Sequence, residues 1–231
     1  MSGASVPGPG SRPRISVVDY GIGNLRSVEK ALQQAGADAA LESDPARIAT
    51  ADGVVLPGVG AFGKCRSALR ASGLETEVVA LATAARDGGG VPFLGICVGM
   101  QLLFDGSDES PDAPGLGLLP GHVTLLPDGV KRPQMQWNRL DPVQPRHPLF
   151  AQMPAHPWAY FVHSYAAVVP DAGRACVLAT CDYGGPMVAA AGLGRLASTQ
   201  FHPEKSSRDG LALLRAFVGQ CAAVRAGTSA A

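Results

Sequence analysis

Charged residues are scarce in this chain. Asp, Glu, Lys and Arg make up 16% of its 231 residues, and the formal net charge is zero. Lys and Arg are scattered rather than clustered, which argues against nucleic acid or an anionic membrane as the main partner. Since no run of about 18 consecutive apolar residues occurs, we expect no membrane-spanning segment.

Paired cysteines are lacking as well. The five cysteines are odd in number and irregular in spacing, so no disulfide framework is predicted. Without a C-x-x-C or H-x-x-x-H pair, a structural zinc site is not expected. We therefore predict no metal and no cofactor, and a reducing cytoplasm is the simplest location for the protein.

Hydrophobic residues supply 46% of the chain, enough for one substantial core in one domain. We place this domain at residues 14–222. Residues 1–13 are rich in Gly, Ser and Pro and lack the apolar stretch of a signal peptide, so we expect a disordered extension. Residues 223–231 are small and polar and are predicted to form a flexible tail.

Apolar runs alternate with helical patterns in the first half of the chain. The runs at 14–19, 53–56 and 92–96 predict buried strands, and the patterns at 25–35, 74–86 and 98–104 predict helices. Asn24 is a candidate cap and Gly36 a stop for the first helix. This alternation indicates an α/β fold with a largely parallel central sheet covered by helices on both faces.

The second half of the chain has a different pattern. Between residues 122 and 183, short strand-like runs are broken by many prolines, which favours a smaller antiparallel or mixed portion of sheet. Residues 196–201 predict a last strand. Apolar residues at helical spacing then predict a closing helix: Leu211, Leu214, Val218 and Cys221.

The segment from Gly95 to Gly99 is the most informative in the chain. It reads Gly-Ile-Cys-Val-Gly, and it joins an apolar strand pattern to a helical one. This is the strand-turn-helix arrangement that lifts a nucleophile out of a sheet. The start of the helix favours the thiolate of Cys97, and the N–H of Val98 is expected to point toward a developing oxyanion. We interpret the other cysteines as packing residues, as most free cysteines are: Cys65, Cys176, Cys181 and Cys221.

A thiol nucleophile needs a base, and the motif at residues 200–204 (QFHPE) offers one. His202 follows an apolar strand, and Pro203 biases it toward an extended conformation. Residues two apart in an extended segment face the same side, so we expect the Glu204 carboxylate to contact the His202 ring. That contact would fix the tautomer of the ring and stabilise its protonated form. The sequence thus predicts a Cys97–His202–Glu204 triad.

Residues 58–63 (GVGAFG) match the G-x-G-x-x-G fingerprint of dinucleotide-binding proteins and follow a strand pattern. That fingerprint needs an acidic residue about 20 positions on, at the end of a second strand. Glu75 and Glu77 fall near that distance, but they lie within a helical pattern. We therefore favour a loop whose backbone N–H groups meet an oxyanion over a nucleotide-binding oxidoreductase.

Taken together, these segments resemble the class I glutamine amidotransferases and, more narrowly, the glutaminase subunits of imidazole glycerol phosphate synthase, in histidine biosynthesis. The class motifs are residues 57–60 (PGVG), 95–101 (GICVGMQ) and 200–204 (QFHPE). The narrower resemblance is carried by residues 19–28 (DYGIGNLRSV), 161–165 (FVHSY) and Lys205-Ser206. The match runs from about residue 14 to residue 220. It implies a three-layer, flavodoxin-like α/β fold with a glutaminase site at the carboxyl ends of the strands.

The resemblance also implies roles for residues of this chain. Cys97 would attack the side-chain amide of glutamine and His202 would protonate the departing ammonia; water would then hydrolyse the γ-glutamyl thioester with His202 as base. For His163 and Tyr165 strand packing is an alternative, and the roles of Tyr20 and Asn24 stay open. The implied oxyanion donors are Gly58, Val59 and Val98, and the implied glutamine-binding residues are Gly60, Gln101, His163, Ser164 and Tyr165.

One segment departs from the family pattern. Residues 133–138 read PQMQWN, where the family usually has Pro-His-Met-Gly-Trp-Asn near its partner interface. Trp137 and Asn138 are retained, so we expect them at that interface. The changes at Gln134 and Gln136 fall outside the triad and bear on partner signalling.

Free ammonia in neutral water is mostly ammonium, which has no lone pair for attack, so a glutaminase used in synthesis must pass its product directly to an acceptor site. The chain shows no pattern typical of a sugar-phosphate acceptor site. The resemblance implies a (β/α)₈-barrel cyclase as the partner subunit, which makes imidazole glycerol phosphate and an aminoimidazole carboxamide ribotide. We also expect low glutaminase activity until that partner is loaded, because the loop at residues 58–60 must reorient.

Three other functions remain open at this point. The chain could serve another synthase, although residues 19–28 and 161–165 argue against that. It could be a cysteine hydrolase that cleaves γ-glutamyl peptides without a partner. It could also be a binding subunit without catalysis, which the intact triad disfavours.

Overall fold

The computed structural model describes residues 12–227. Most of the predicted N-terminal extension (residues 1–11) and the last residues of the predicted tail (228–231) lie outside the described residues. The strands are β1 (Arg14–Val18), β2 (Asp38–Glu42), β3 (Gly53–Gly58), β4 (Phe93–Cys97), β5 (His122–Leu125), β6 (Gln134–Arg139), β7 (Asp141–Pro142), β8 (Trp158–His163), β9 (Tyr165–Val168), β10 (Val177–Asp182), β11 (Pro186–Leu193) and β12 (Leu196–Thr199). The helices are α1 (Leu25–Gln34), α2 (Pro45–Ala49), α3 (Phe62–Ala71), α4 (Glu75–Arg86), α5 (Val98–Gln101) and α6 (Ser207–Arg225).

A central sheet of eight strands runs in the order β2-β1-β3-β4-β12-β11-β10-β7. The pairings from β2 to β12 are parallel, and those from β12 to β7 are antiparallel. The order of the parallel part is that of doubly wound, flavodoxin-like folds. Two antiparallel pairs, β5–β9 and β6–β8, lie outside this sheet. The predicted α/β fold, with its parallel first half and mixed second half, is confirmed.

The core lies along the central strands. Every residue of β3 and of β4 is buried, as expected for parallel strands covered on both faces. Phe93 on β4 packs in a cluster of buried residues that also holds Phe161, Phe201 and Phe217. Burying such a side chain contributes roughly 1.5–3 kcal/mol. The strand ends that bear the candidate site therefore belong to strands that are buried along their whole length.

The predicted helix at 98–104 was too long. The helix α5 ends at Gln101, because the next carbonyl groups accept hydrogen bonds from a distant loop. The carbonyls of Leu102 and Leu103 accept from the backbone N–H groups of Leu116 and Leu118, each at 2.8 Å. Tertiary hydrogen bonds thus replace the helical ones.

Four elements, β2, α2, α3 and β11, had no predicted counterpart. Helix α3 begins inside the glycine-rich segment 58–63, and its first N–H groups are capped from another loop. Glu109 accepts from the N–H of Phe62 at 2.7 Å, and the Ser110 hydroxyl accepts from the N–H of Gly63 at 3.1 Å. No local capping signal was therefore needed in the sequence.

Some details of the element ends also differ from the predictions. Asn24 occupies the position before α1, but its side chain makes no capping hydrogen bond. Strand β12 ends at Thr199 rather than at residue 201. Helix α6 runs to Arg225 and so enters the segment predicted as a flexible tail.

Candidate active site

The backbone of Cys97 is strained. As the last residue of β4, Cys97 has φ of 55° and ψ of −113°, a region that residues with a β-carbon rarely occupy. A β-carbon on Gly99 would lie 1.9 Å from the carbonyl oxygen of Leu56, and one on Gly95 would lie 2.9 Å from that of Gly99. The glycines on either side of Cys97 are therefore required by the sharp turn, as the sequence predicted.

The three residues of the predicted triad lie together. Nδ1 of His202 lies 2.8 Å from Oε1 of Glu204, and the two side chains are 3% and 1% exposed. The Cys97 sulfur lines the same cavity as the ring and, together with Glu204, raises the pKa of His202. Since Glu204 occupies Nδ1, the nitrogen left for the sulfur is Nε2.

The predicted reason for the His202–Glu204 contact was wrong, although the contact exists. His202 itself is extended, with φ of −97° and ψ of 98°, but residues Pro203–Lys205 form a 3-10 turn. The turn, and not a continued strand, brings Glu204 back onto the ring. The chain leaves the sheet here because the N–H of His202 donates to the carbonyl of Tyr160 on β8 at 3.1 Å.

Burial and the two partner side chains act in opposite directions on the pKa of His202. Burial of the ring disfavours its charged form, but hydrogen bonds and charge interactions with Cys97 and Glu204 outweigh that cost and raise the pKa of His202 to about 9. Both partners favour the imidazolium because each can carry a negative charge. The arrangement can therefore keep the ring of His202 protonated at neutral pH.

A cavity of about 370 Å³ opens over the sulfur. Nine predicted site residues line it: Val59, Gly60, Cys97, Val98, Gln101, His163, Ser164, Tyr165 and His202. Gly58 and Glu204 are not in this lining. Gly58 lies below, where its Cα faces the N–H of Gly99, and Glu204 lies behind the histidine ring.

Gln101 and His163 are held by the same backbone carbonyl. The side-chain N–H of Gln101 donates to the Tyr165 carbonyl at 3.0 Å, and Nδ1 of His163 lies 2.9 Å from the same oxygen. Burial lowers the pKa of His163 to about 4, and the neighbouring His202 acts in the same direction. His163 is therefore a neutral ring at physiological pH that donates through Nδ1, while its buried Nε2 has no partner among the described residues.

Two buried side chains hydrogen-bond the backbone of the glycine-rich loop beside the sulfur. The hydroxyl of Tyr20 donates to the Pro57 carbonyl at 2.7 Å, and the thiol of Cys65 donates to the Val59 carbonyl at 3.3 Å. Burial raises the pKa of the Cys65 thiol, which keeps it in the donating form. Gly60 has φ of 88°, so the loop turns where only glycine turns at little cost. Tyr20, whose role the sequence left open, thus supports this loop.

The same loop does not form a dinucleotide site. Glu75, which lies at the distance expected of a ribose-binding carboxylate, is on helix α4 and is paired with both terminal nitrogens of Arg66 at 2.5 and 2.7 Å. Its carboxylate is therefore already occupied, and the loop faces the cavity of Cys97 instead. Rejection of the nucleotide interpretation agrees with the geometry.

Sequence reasoning missed two ionisable residues of the cavity, Glu109 and Lys205. Glu109 lies in a loop without periodic pattern, so no local signal marked it. Lys205 belongs to a motif that was noticed, but no role was assigned to it. Both place a charge within reach of a ligand in the cavity.

The predicted interface residues differ in their surroundings. Trp137 on β6 is 45% exposed and packs edge-on against Tyr160 at 6.0 Å. The Asn138 amide instead donates within the chain, to the Asp182 carbonyl at 2.8 Å. Gln134 is fully buried, and neither atom of its amide group has a hydrogen-bond partner among the described residues.

Metal ligands, membrane spans and other clefts are the features that could indicate another function in the rest of the described chain. Among residues 12–227, no group of three or more His, Cys, Asp or Glu could hold a metal ion. No helix in that range has the length and apolar character needed to cross a membrane. A larger cleft of about 810 Å³ lies near the start of β1, but its lining has no thiol and no imidazole: Arg12, Arg14, Gln33, Ala37, Asp38, Thr50, Asp52 and Arg225.

Comparison with known proteins places the chain among glutamine-using proteins. The family model described as glutamine amidotransferase class-I matches residues 16–221. A protein of Symbiobacterium thermophilum named imidazole glycerol phosphate synthase subunit HisH is 51% identical over 87% of this chain and 91% of its own. A protein of Synechococcus elongatus with the same name is 46% identical over 95% of this chain and 99% of its own.

Solved structures share the fold at low sequence identity. A structure described as PurLQS from Thermotoga maritima has a TM-score of 0.70 at 20% identity, covering 90% of this chain and 98% of that one. A structure described as a glutamine amidotransferase has a TM-score of 0.68, also at 20% identity and with the same coverage. At such identity these likenesses concern the fold alone.

Proposed function

Because this chain belongs to the class I glutamine amidotransferase family, and within it to the imidazole glycerol phosphate synthase subunits named HisH, we propose that it hydrolyses L-glutamine and supplies the ammonia to a synthase partner. The observation that carries this proposal is the contact of the Cys97 sulfur, the His202 ring and the Glu204 carboxylate at one end of a cavity. No other cysteine of the chain lies on a strained turn after a strand.

The first half of the reaction begins with an ion pair. The Cys97 thiolate attacks the side-chain amide carbon of glutamine, and the carbonyl oxygen becomes an oxyanion. The imidazolium of His202, whose pKa is raised to about 9, then gives its proton to the amide nitrogen. The carbon–nitrogen bond breaks, ammonia leaves, and a γ-glutamyl thioester remains on Cys97.

The second half needs His202 as a base, and formation of the thioester provides for this change. Once the sulfur is acylated it carries no charge, so one of the two influences that raise the pKa of His202 is lost. The neutral ring can then take a proton from water as the water attacks the thioester. The thiolate leaves, glutamate is released, and Glu204 holds the ring through Nδ1 in both halves.

Backbone N–H groups stabilise the oxyanion. Val98, directly after the nucleophile, offers the first N–H, and the loop of Gly58 and Val59 offers the second. Val59 lies between Gly58 and Gly60, so the Gly58–Val59 peptide can reorient at low cost to complete the oxyanion site. We assign the gating of the glutaminase to that step.

The cavity suits a free amino acid with both an ammonium and a carboxylate group. Both N–H groups of the Gln101 amide are used within the protein, so its oxygen remains for the substrate ammonium. Glu109 adds a negative charge on the same cavity, and Lys205 a positive one. Gly60 and the backbone of residues 163–165 complete the lining.

The partner is a (β/α)₈-barrel cyclase, which forms a heterodimer with this chain and gives the complex its lyase activity. The wall formed by β6 and β8 supports this part of the proposal, because it exposes the apolar side chains of Met135, Trp137 and Trp158. All five cysteines are free, as suits the reducing cytoplasm.

Glutamate release measured with and without the barrel cyclase and its nucleotide ligand tests this function. We expect strong stimulation by the loaded partner, and loss of at least about 10³-fold in Cys97→Ala. Isolated subunit that hydrolyses glutamine as fast as the loaded complex would contradict the gating step. Cleavage of γ-glutamyl peptides without any partner would replace the proposal with that of an independent hydrolase.

A further inference from the structure

Gln200 is a buried amide next to the nucleophile that the triad does not use. It lies between β12 and His202, and its side chain is fully buried. Its Nε2 lies 3.8 Å from the sulfur of Cys97, and its Oε1 accepts from Nε2 of Gln101 at 3.1 Å. A buried amide costs free energy unless it is hydrogen-bonded, and here both ends have partners.

The direction of these bonds follows from one atom that can only accept. The Tyr165 carbonyl accepts from the Gln101 side chain, so the Gln101 atom placed there is its nitrogen. The second hydrogen of that nitrogen needs an acceptor, which must be the oxygen of Gln200. The amide nitrogen of Gln200 is therefore the atom that faces the sulfur, with an N–H to donate.

From this chain of contacts we propose that Gln200 is a positioning residue with two effects, an inference that rests on the proposed function. Its N–H stabilises the anionic form of the Cys97 sulfur. Its oxygen fixes the Gln101 amide so that the Gln101 oxygen points to the substrate. The backbone carbonyl of Tyr165 thus fixes the donor and acceptor ends of both amides in the row that runs from the substrate ammonium through Gln101 and Gln200 to the Cys97 sulfur.

This row also replaces the helix dipole expected from the sequence. Helix α5 has only four residues, so its aligned peptide dipoles are few. A hydrogen bond to a charged acceptor is stronger than one to a neutral acceptor. The Gln200 N–H therefore supplies part of the anion stabilisation that a longer helix would have given.

The pH profile of Cys97 alkylation tests the first effect without any need for glutaminase activity. The full-length chain is treated with iodoacetamide across a range of pH, and modification is followed on the tryptic peptide 87–131, in which Cys97 is the only cysteine. For Gln200→Met we expect the half-maximal pH to rise by about one unit, so that the rate on the rising part of the profile falls roughly tenfold at equal pH. Gln34→Met, at an exposed helix position, is the matched control and should not move the profile.

Glutamine kinetics test the second effect. Gln200→Met should raise KM and lower kcat, since both the substrate contact and the nucleophile are affected. Gln101→Met should raise KM but shift the alkylation profile by less than half as much. An alkylation profile in Gln200→Met within about 0.2 units of wild type would overturn the proposal. If wild type fails to hydrolyse glutamine even with the loaded cyclase, the proposed function falls, and the alkylation profile still decides the role of Gln200.

A measurement on the wild-type chain covers the case in which Gln200→Met does not fold. The side-chain amide resonances of Gln200 should shift with pH over the range in which Cys97 becomes reactive. In Cys97→Ser that shift should disappear. Resonances that do not respond to pH in the wild type would refute the contact between this amide and the sulfur.

Discussion

At the scale of single residues, the protonation of His202 depends on the charges of its two partners, Cys97 and Glu204. Cys97 and Glu204 together raise its pKa to about 9 against the cost of burial. The mechanism requires that this pKa fall when the sulfur is acylated. The influence of the sulfur can be removed separately from that of the carboxylate, because the two contact different ring nitrogens.

Alkylation of Cys97 should therefore lower the pKa of His202. A thioether carries no charge, so the imidazolium loses one partner and its proton is released at a lower pH, by at least about one unit. Titration of the ring carbon protons by NMR, before and after reaction with iodoacetamide, measures this change. A pKa that stayed near 9 would mean that Glu204 alone holds the proton, and the proposed exchange from acid to base would fail.

The buried ring of His163 makes a separate contribution to stability. Its pKa is lowered to about 4 by burial, against an ordinary value of about 6.5 in the unfolded chain. Between these values the unfolded chain binds a proton that the folded chain does not. Stability from this residue is therefore present above pH 6.5 and is lost as the pH falls toward 4, by on the order of 3 kcal/mol.

His163→Asn should remove this pH dependence. An Asn amide can keep the donor to the Tyr165 carbonyl but cannot titrate. Urea unfolding at several pH values between 4.5 and 7 should give a flatter curve for the variant than for wild type. The difference between the two curves isolates His163 from the carboxylates that titrate in the same range; parallel curves would show that the pKa of the ring is the same in the folded and the unfolded chain.

At the scale of elements, the turn between β4 and α5 is built around glycines. A β-carbon at Gly99 would overlap the carbonyl of Leu56 on β3 at 1.9 Å, and a backbone group cannot move aside as a flexible side chain can. The close approach of β3 and the start of α5 thus depends on one missing methyl group. This packing holds Cys97 in its strained conformation.

Gly99→Ala should destabilise the fold by more than about 3 kcal/mol. Gly219→Ala is the matched control, since Gly219 lies in α6 with nothing within 4 Å of an added β-carbon. It should stabilise by about 0.5–1 kcal/mol, the gain of replacing glycine in a helix. Thermal unfolding measures both. Equal effects of the two changes would contradict the steric argument.

At the scale of the whole molecule, the pair β6–β8 forms an exposed apolar wall. Met135 and Trp158 are 62% and 50% exposed, and Trp137 lies between them on the same sheet. Exposed large apolar side chains in one patch are typical of protein interfaces. The wall adjoins the cavity, because β8 ends at His163, so a docked partner would lie near the released ammonia.

Trp137→Ser should weaken binding of the barrel cyclase about 30-fold or more, as expected for an interface tryptophan. Its effect on the unfolding of the isolated chain should be small, because Trp137 is largely exposed. Val168→Ser, an exposed apolar position on β9 away from this wall, is the control and should bind as wild type does. Titration calorimetry with the cyclase measures the three affinities. Unchanged binding by Trp137→Ser would exclude this wall as the docking surface.

The sequence alone determined the alternating architecture and indicated the three residues of the proposed triad, because both leave local signals. Hydrophobic periodicity indicated strands and helices, and glycines around Cys97 indicated a turn that needs their missing side chains. Prolines and short runs also indicated the change of sheet type in the second half. These features depend on neighbours along the chain, which a sequence displays directly.

Only the tertiary structure decided where the elements end and which side chains contact the reacting groups. Helix α5 ends just before Leu102 and Leu103, whose carbonyls accept hydrogen bonds from the N–H groups of residues 116 and 118. Helix α3 begins at Phe62, whose N–H donates to Glu109. Likewise, the turn after His202, which is hydrogen-bonded to β8, places Glu204 against the His202 ring. The side chain of Gln200 contacts both Cys97 and Gln101. Several of these contacts join residues that are far apart along the chain. Bringing such residues together costs loop-closure entropy, which only the folded state offsets, so a short stretch of sequence cannot show the contact.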